Sequence, residues 1–176
     1  MKKNTKKEIN EFLLESNHIE GVYDSDSFLQ AQVAWDYLSK KKTLTLAVVL
    51  KTHYLLMINQ NLQPDEKGFF RRCKIWIGGR EGHDWIHVPD AMKNWIMNMN
   101  DIVRNGQGES KIFLERITKE HHVKYEKIHP FVDGNGRTGR MFMNWERMQV
   151  GLPIITIKAG WPDQKGEQAN YYKCFK

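Results

Sequence analysis

Histidine, carboxylate, glycine and arginine crowd together in His129-Pro-Phe-Val-Asp133-Gly-Asn-Gly136-Arg137-Thr-Gly-Arg140. Pro130 disfavours helix at the residue before it, so an incoming helix stops near Ile128 and leaves His129 at the mouth of a loop. Gly134 and Gly136 flank Asn135 and let the backbone turn its N–H groups inward around an anion. Arg137 and Arg140 follow at helical spacing in the first turns of the next helix. Cations there oppose the helix dipole, which makes sense when a strongly anionic group such as a polyphosphate lies between them. Asp133, the carboxylate of the loop, is a candidate Mg²⁺ ligand beside phosphates. Together these residue types suit the transfer of a phosphoryl-type group.

Several elements must position that loop. Thr5 and Glu8 form a capping-box start, and Gly21 is a natural stop. In the helix between them Ile9, Leu13, Ser16 and Glu20 share one stripe, which turns Glu20 toward the core and toward a buried cation. Ser27 caps a second helix through about Lys40, with Phe28, Ala31, Trp35 and Leu38 inward. Thr45 to Asn59 reads as a central core helix containing a packed or hydrogen-bonded His53. Beyond Gly68 the period changes. Cys73, Ile75 and Ile77 alternate with Arg72, Lys74 and Trp76, Gly78-Gly79 opens a turn, and Trp85 to Val88 reads as a return strand. His83 and His87 read as ordinary loop and strand residues. Asp90 to Asn105 and Glu109 to Ile128 read as helices, the latter with Ile112, Ile117 and Tyr125 inward. A helix after the loop uses Met141, Phe142, Trp145 and Met148 and stops at Gly151. An extended run from Leu152 to Ile157 and a last amphipathic stretch to Lys176 follow.

The chain has 176 residues, 40% hydrophobic, with six tryptophans and a net charge of +6. That is one globular core. No apolar run reaches membrane-spanning length, and the N-terminus carries no secretory segment. Cys73 and Cys174 lie in no metal or redox pattern and read as reduced cytosolic thiols. Much of the positive charge sits in Lys2, Lys3, Lys6, Lys7 and Lys40 to Lys42, as solvated lysines without a nucleic-acid-binding motif. One rival chemistry is present. His122, Glu126 and His129 stand at i, i+4 and i+7, a spacing that could offer Zn²⁺ three ligands, although Pro130 unwinds the last of them.

The run from His129 to Arg140 resembles the signature of the Fic family, H-P-F-x-[D/E]-G-N-G-R-x-x-R, at every specified position. The resemblance implies a mainly α, Fic-type helical bundle with a small β-hairpin flap. It implies an adenylyltransferase that moves AMP from ATP to a Ser, Thr or Tyr hydroxyl of a target protein. His129 would be the base. Phe131, Gly134, Asn135, Gly136, Arg137 and Arg140 would form the nucleotide side, and Asp133 would hold Mg²⁺, with Mn²⁺ as a substitute. Phe131 reads more as the anchor of the loop in the core than as a substrate contact.

Ser16-Asn-His-Ile-Glu20-Gly21 is similar to the family's inhibitory motif, [S/T]-x-x-x-E-[G/N]. By that likeness residues 1–22 are an inhibitory helix on a catalytic core of residues 23–176, and Glu20 pairs with Arg140. Gly68, Arg71 and Ile75 are similar to the family's flap motif, so Arg71, Ile75 and Ile77 are expected at the target-docking edge. The implied partners are a target protein, self-modification and a second copy of the chain, and the implied compartment is the cytoplasm. Some relatives with such a glutamate remove AMP, and others transfer a different phosphate-containing group; a non-catalytic nucleotide-binding module is the third class.

Overall fold

A computed structural model of the chain describes residues 4–77, 79–160 and 173. The expected amphipathic stretch up to Lys176, with Cys174, lies outside these residues except for Lys173. The described part is mostly helical, in the order α1 (Lys6–Ile19), α2 (Ser25–Ser39), α3 (Leu46–Met57), β1 (Trp76–Ile77), β2 (Arg80–Glu81), α4 (Val88–Asn105), α5 (Lys111–Ile128) and α6 (Asn135–Gln149). No described helix is long and apolar enough to cross a membrane.

Local chemistry sets most boundaries. At the start of α1, Thr5 accepts from the backbone of Glu8, and the Glu8 side chain returns a bond to Thr5. Past its end Gly21 takes φ 71°, and the N–H groups of Gly21 and Val22 close on the carbonyls of His18 and Asn17. These two bonds stop the helix with Glu20 as its last turn. The cap of α2 is Asp24, not Ser27, because the Asp24 carboxylate accepts from both the backbone and the hydroxyl of Ser27. Trp85 to His87 is a 3₁₀ turn, not the return strand; Arg80 and Glu81 pair with Ile77 and Trp76 instead. Asp84 captures the N–H of Ile86 there and turns the chain into α4. Ile112, expected inward, is 81% exposed, and α5 packs through Leu114, Thr118, His121, His122 and Tyr125.

The helix at the centre is α6, not α3. It packs against each of the other five helices. Met141, Phe142 and Trp145 fill the core beside Trp35, Leu38, Trp95 and Met99, whereas α3 leaves Tyr54 and Ile58 partly in solvent. Charged and amide side chains hide this role in the hydropathy pattern. Each finds a partner inside: Glu146 meets His121 Nδ1 at 2.7 Å, and Arg147 Nε donates to the carbonyl of Pro153 at 2.8 Å. The Asn144 amide bonds both the N–H and the carbonyl of Ile155 at 2.9 Å. The extended run after α6 is thereby strapped to that helix. Its far end holds α1, where Lys158 pairs with Glu11 and Glu15 and the N–H of Ala159 donates to Glu15.

Trp145 is fully buried, and its indole N–H donates to the carbonyl of Lys41 at 2.9 Å. Trp145→Ala is expected to cost about 3–5 kcal/mol of stability, read as a lower urea midpoint with little change in slope.

Candidate active site

The loop between α5 and α6 is shaped by its own side chains. Asn135 donates to the carbonyl of Phe131 and accepts from its N–H, both at 2.9 Å, which closes the loop on itself. Phe131 is fully buried and stacks on His53 with ring centroids 3.7 Å apart. Phe131 and the Asn135 amide, both expected on the nucleotide side, therefore face the protein and brace the loop. Gly134 takes φ 77° as the N-cap of α6, a conformation that a side chain would strain. Asp133 remains 60% exposed, with Oδ1 accepting from the N–H of Gly134 at 2.6 Å.

His129 is the one non-glycine residue with positive φ among the described residues, at φ 49° and ψ 66°. Its N–H still closes α5 on Tyr125, after which the chain leaves the helix axis. The ring Nδ1 lies 3.3 Å from the carbonyl of Glu126. A carbonyl only accepts, so Nδ1 carries the proton and Nε2 keeps its lone pair. Burial holds the imidazole below its usual pKa. The Glu126 carbonyl pulls it up, Arg71 pushes it down, and Glu20 and Asp133 raise it.

Two buried arginines follow. Arg137 Nη2 lies 3.3 Å from Met57 Sδ and 3.8 Å from Asp133 Oδ2, while Nε and Nη1 have no hydrogen-bond partner among the described residues. Unpaired N–H groups on a buried cation call for an anion. Arg140 is held by α1 through Nε and Nη2. Nε donates to Ser16 Oγ at 2.9 Å, and Nη2 donates to the Ser16 carbonyl at 2.9 Å and to Glu20 Oε1 at 2.6 Å. The same carboxylate lies over Gly136, where any Cβ would overlap it. Glu20 thus occupies, with its own negative charge, the space above the glycine turn.

The far side of Arg140 holds a second carboxyl. Burial pushes Glu126 up to about 8, although Arg140 pulls it down and Glu20 raises it further. The Glu126 carboxyl therefore carries its proton at neutral pH and leaves Arg140 to Glu20. His122 lies 3.9 Å from Glu126, and burial with the Arg140 charge lowers it to about 3. The Zn²⁺ alternative fails on this geometry. The left-handed turn takes His129 off the helix face, and no three His, Cys, Asp or Glu side chains gather to hold a metal among the described residues.

Two positioning contacts have no signal in the sequence. The N–H of Gly68 donates to His53 Nδ1 at 2.9 Å, so His53 Nε2 bears the proton and donates to the carbonyl of Asp133 at 2.9 Å. Burial lowers His53 to about 4, which keeps that bridge neutral. Arg71, expected at a docking edge, is 2% exposed and directed at the turn that carries His129. Ile75 and Ile77 are half-buried, and Trp76 between them is 71% exposed. The partners of His53 and Arg71 are backbone atoms far along the chain, which residue types cannot reveal.

The arrangement is an anion seat with a free base nitrogen and an exposed carboxylate, and it has known counterparts. The model of the Fic/DOC family matches residues 43–146, a span that includes the hairpin and the loop but not α1. Among curated proteins, the protein adenylyltransferase Fic of Drosophila persimilis is 29% identical over 164 residues, covering 92% of this chain and 28% of that protein. The Drosophila virilis protein of the same name is 30% identical over the same length, covering 92% and 30%. The chain thus spans under a third of the length of these relatives. Among solved structures, a Fic domain containing signaling protein from Bacteroides thetaiotaomicron aligns with TM-score 0.76 at 18% identity, over 95% of this chain and 70% of that one. A Fic protein from C. elegans aligns with TM-score 0.72 at 18% identity, over 96% and 55%. At such identity the two structures speak for the fold, and the family match covers more than half of the chain. The chain belongs to the Fic/DOC family.

Proposed function

We propose that this chain transfers AMP from ATP to a hydroxyl of a protein, and that Glu20 restrains it at rest. The observation that carries the reading is the buried Arg137, with Nε and Nη1 unpaired beside a glycine turn and a histidine whose Nε2 is free. The curated relatives named protein adenylyltransferase support the same chemistry. Polyphosphate fits the orphaned N–H groups of Arg137 and the space over Gly136 that the Glu20 carboxylate fills at rest. The exposed Asp133 carboxylate fits a hard divalent cation, Mg²⁺ or Mn²⁺. Such an ion supplies neutralisation of phosphate charge when bound.

The chain's own groups would act as follows. Arg137 and Arg140 hold the phosphates, with the backbone of the α6 N-terminus beneath them. A protein hydroxyl forms a bond to the α-phosphorus as the bond to the pyrophosphate oxygen breaks. His129 Nε2 takes the hydroxyl proton, and the proton on Nδ1 stays with the Glu126 carbonyl. Glu20 opposes all this at the seat, because its carboxylate already pairs Arg140 over Gly136. That same carboxylate favours a second reading, removal of AMP from a modified protein, in which Glu20 positions a water.

Glu20→Gly is expected to raise incorporation of label from α-labelled ATP and Mg²⁺ by on the order of tenfold or more, the equivalent of ~1.4 kcal/mol in the closed-to-open balance. Adding His129→Ala should remove about 10²–10⁴-fold of that rate while ATP still binds. Incorporation that is unchanged by Glu20→Gly would exclude the restraint. Label released from a modified protein by wild type and not by Glu20→Gly would favour the second reading.

The pH dependence has a definite sign. A base must be neutral, so kcat/KM falls as pH drops through the pKa of His129, which lies below the ordinary 6.5. The acid limb measured in Glu20→Gly is therefore expected below pH 6.5, since the lost carboxylate was raising that pKa. A limb at or above 7 in kcat/KM would contradict a buried, free His129.

A further inference from the structure

Arg71 has an unusual set of partners for a buried cation. Among the described residues its guanidinium forms no ion pair with a carboxylate and instead holds four backbone carbonyls. Nε donates to His129 at 2.7 Å, Nη1 to Cys73 at 2.7 Å, and Nη2 to Ile128 at 3.3 Å and to His83. The backbone N–H of Arg71 takes the Pro130 carbonyl at 2.9 Å. Three consecutive carbonyls, at Ile128, His129 and Pro130, thus converge on one residue. Those three peptide units form the turn that carries His129 through the left-handed region, a strained conformation for a non-glycine residue. Such strain persists only where the surroundings over-determine it. Cys73 and His83 lie on the two arms of the hairpin, so the same fork ties both arms to the catalytic turn.

A docking role would need the guanidinium in solvent, yet Arg71 is 2% exposed while Trp76 beyond it is 71% exposed. Placing a cation among carbonyls is costly. The negative end of α5 offsets part of that cost, because Ile128 and His129 carry its last carbonyls. A planar fork satisfies divergent carbonyls in a way an ammonium does not.

We propose that Arg71 is a positioning residue for His129. It holds the backbone turn that presents Nε2 and fastens that turn to both arms of the hairpin. The kinetic part of this rests on the transfer reading given above; the geometric part does not.

Two variants separate charge from geometry, each made in the Glu20→Gly chain with self-labelling from α-labelled ATP as the rate. Arg71→Met removes both charge and fork, and Arg71→Lys keeps the charge alone. The groups facing His129 are Arg71 from the hairpin, Glu20 from α1, Asp133 from the loop, and the carbonyl of Glu126 on α5. With Glu20 gone and the others intact, Arg71→Met should lower kcat by on the order of 10–10²-fold, leave the KM for ATP within about twofold, and move the acid limb upward. Arg71→Lys should restore the acid limb without restoring kcat. A merely structural role would lower the folded fraction and leave the pH profile of the remainder in place. NMR titration of ¹³C-labelled histidine, with the His129 signal assigned by its loss in His129→Gln, reads the same pKa without turnover. Absence of label in the Glu20→Gly parent would sink the transfer reading alone, and the titration would still decide Arg71. The proposal is overturned if Arg71→Met leaves kcat and the His129 titration unchanged. It is equally overturned if the KM for ATP rises by the factor that kcat/KM falls, which would make Arg71 a nucleotide contact.

Discussion

The site depends on where the positive charge of Arg140 finds its counter-charge. The guanidinium is 2% exposed, so water cannot supply one, and a buried cation without a partner costs several kcal/mol. The carboxyl at its back, Glu126, is itself so desolvated that it holds a proton near neutral pH. Ser16 contributes hydroxyl and carbonyl oxygens but no charge. Among the described residues Arg140 forms its ion pair with Glu20, which comes from a different helix. The docking of α1 and the neutralisation of Arg140 are therefore one event. Any anion that takes the place of Glu20 competes with the helix for the same guanidinium.

That constraint explains why the most buried helix is also one of the most polar. The spine α6 carries Arg137 and Arg140 at its N-terminal end and still passes through the centre of the bundle. Its later turns repeat the solution with other partners. Glu146 is matched by His121, Arg147 by the Pro153 carbonyl, and Asn144 by the backbone of Ile155. These polar groups meet an acceptor or donor in the core, as low-dielectric burial demands, although Glu146 Oε2 has no partner among the described residues. At the N-terminal end Arg137 Nε and Nη1 have none among the described residues either, and a buried cation with unpaired N–H groups suits an anion.

How much of this was legible in the sequence follows from the range of the interactions. The loop was legible because proline, glycine and arginine act locally, and Glu20 was legible as an inward carboxylate on an apolar stripe. The caps of α1 were read correctly, since both consist of contacts within a few residues. The assignment of α3 as the central helix failed because hydropathy penalises charges that tertiary partners later satisfy. Trp85 to His87 looked like a strand by composition, but one Asp84 carboxylate turned it into a 3₁₀ turn. Asn135 and Phe131 have residue types suited to a ligand, yet the tight loop uses both for itself. His53 was legible as a packed, hydrogen-bonded core histidine, but the loop contacts of Arg71 and His53 were unreadable for a deeper reason. Their partners are backbone atoms 58 and 80 residues away, and a carbonyl carries no residue type.

These long-range contacts divide the loop into separately held parts. Its start, His129 and Pro130, hangs on the hairpin root through Arg71; its middle, Asp133, hangs on α3 through His53; its end, Arg140, hangs on α1 through Glu20 and Ser16. The first two anchors are neutral or backbone-directed and do not involve α1 at all. Displacing α1 would therefore take Glu20 and Ser16 away from Arg140 and leave the contacts of Arg71 with His129 and of His53 with Asp133 untouched. The ties that hold α1 also differ in strength. Lys158 with Glu11 and Glu15 is a surface cluster, weak and screened by salt. Phe12 and Leu13, buried at 2% and 1%, are the firm apolar ones. Between them stands the Glu20 pair, partly open to solvent on its acidic side, which makes it the one contact in the set that an incoming polyphosphate could directly replace.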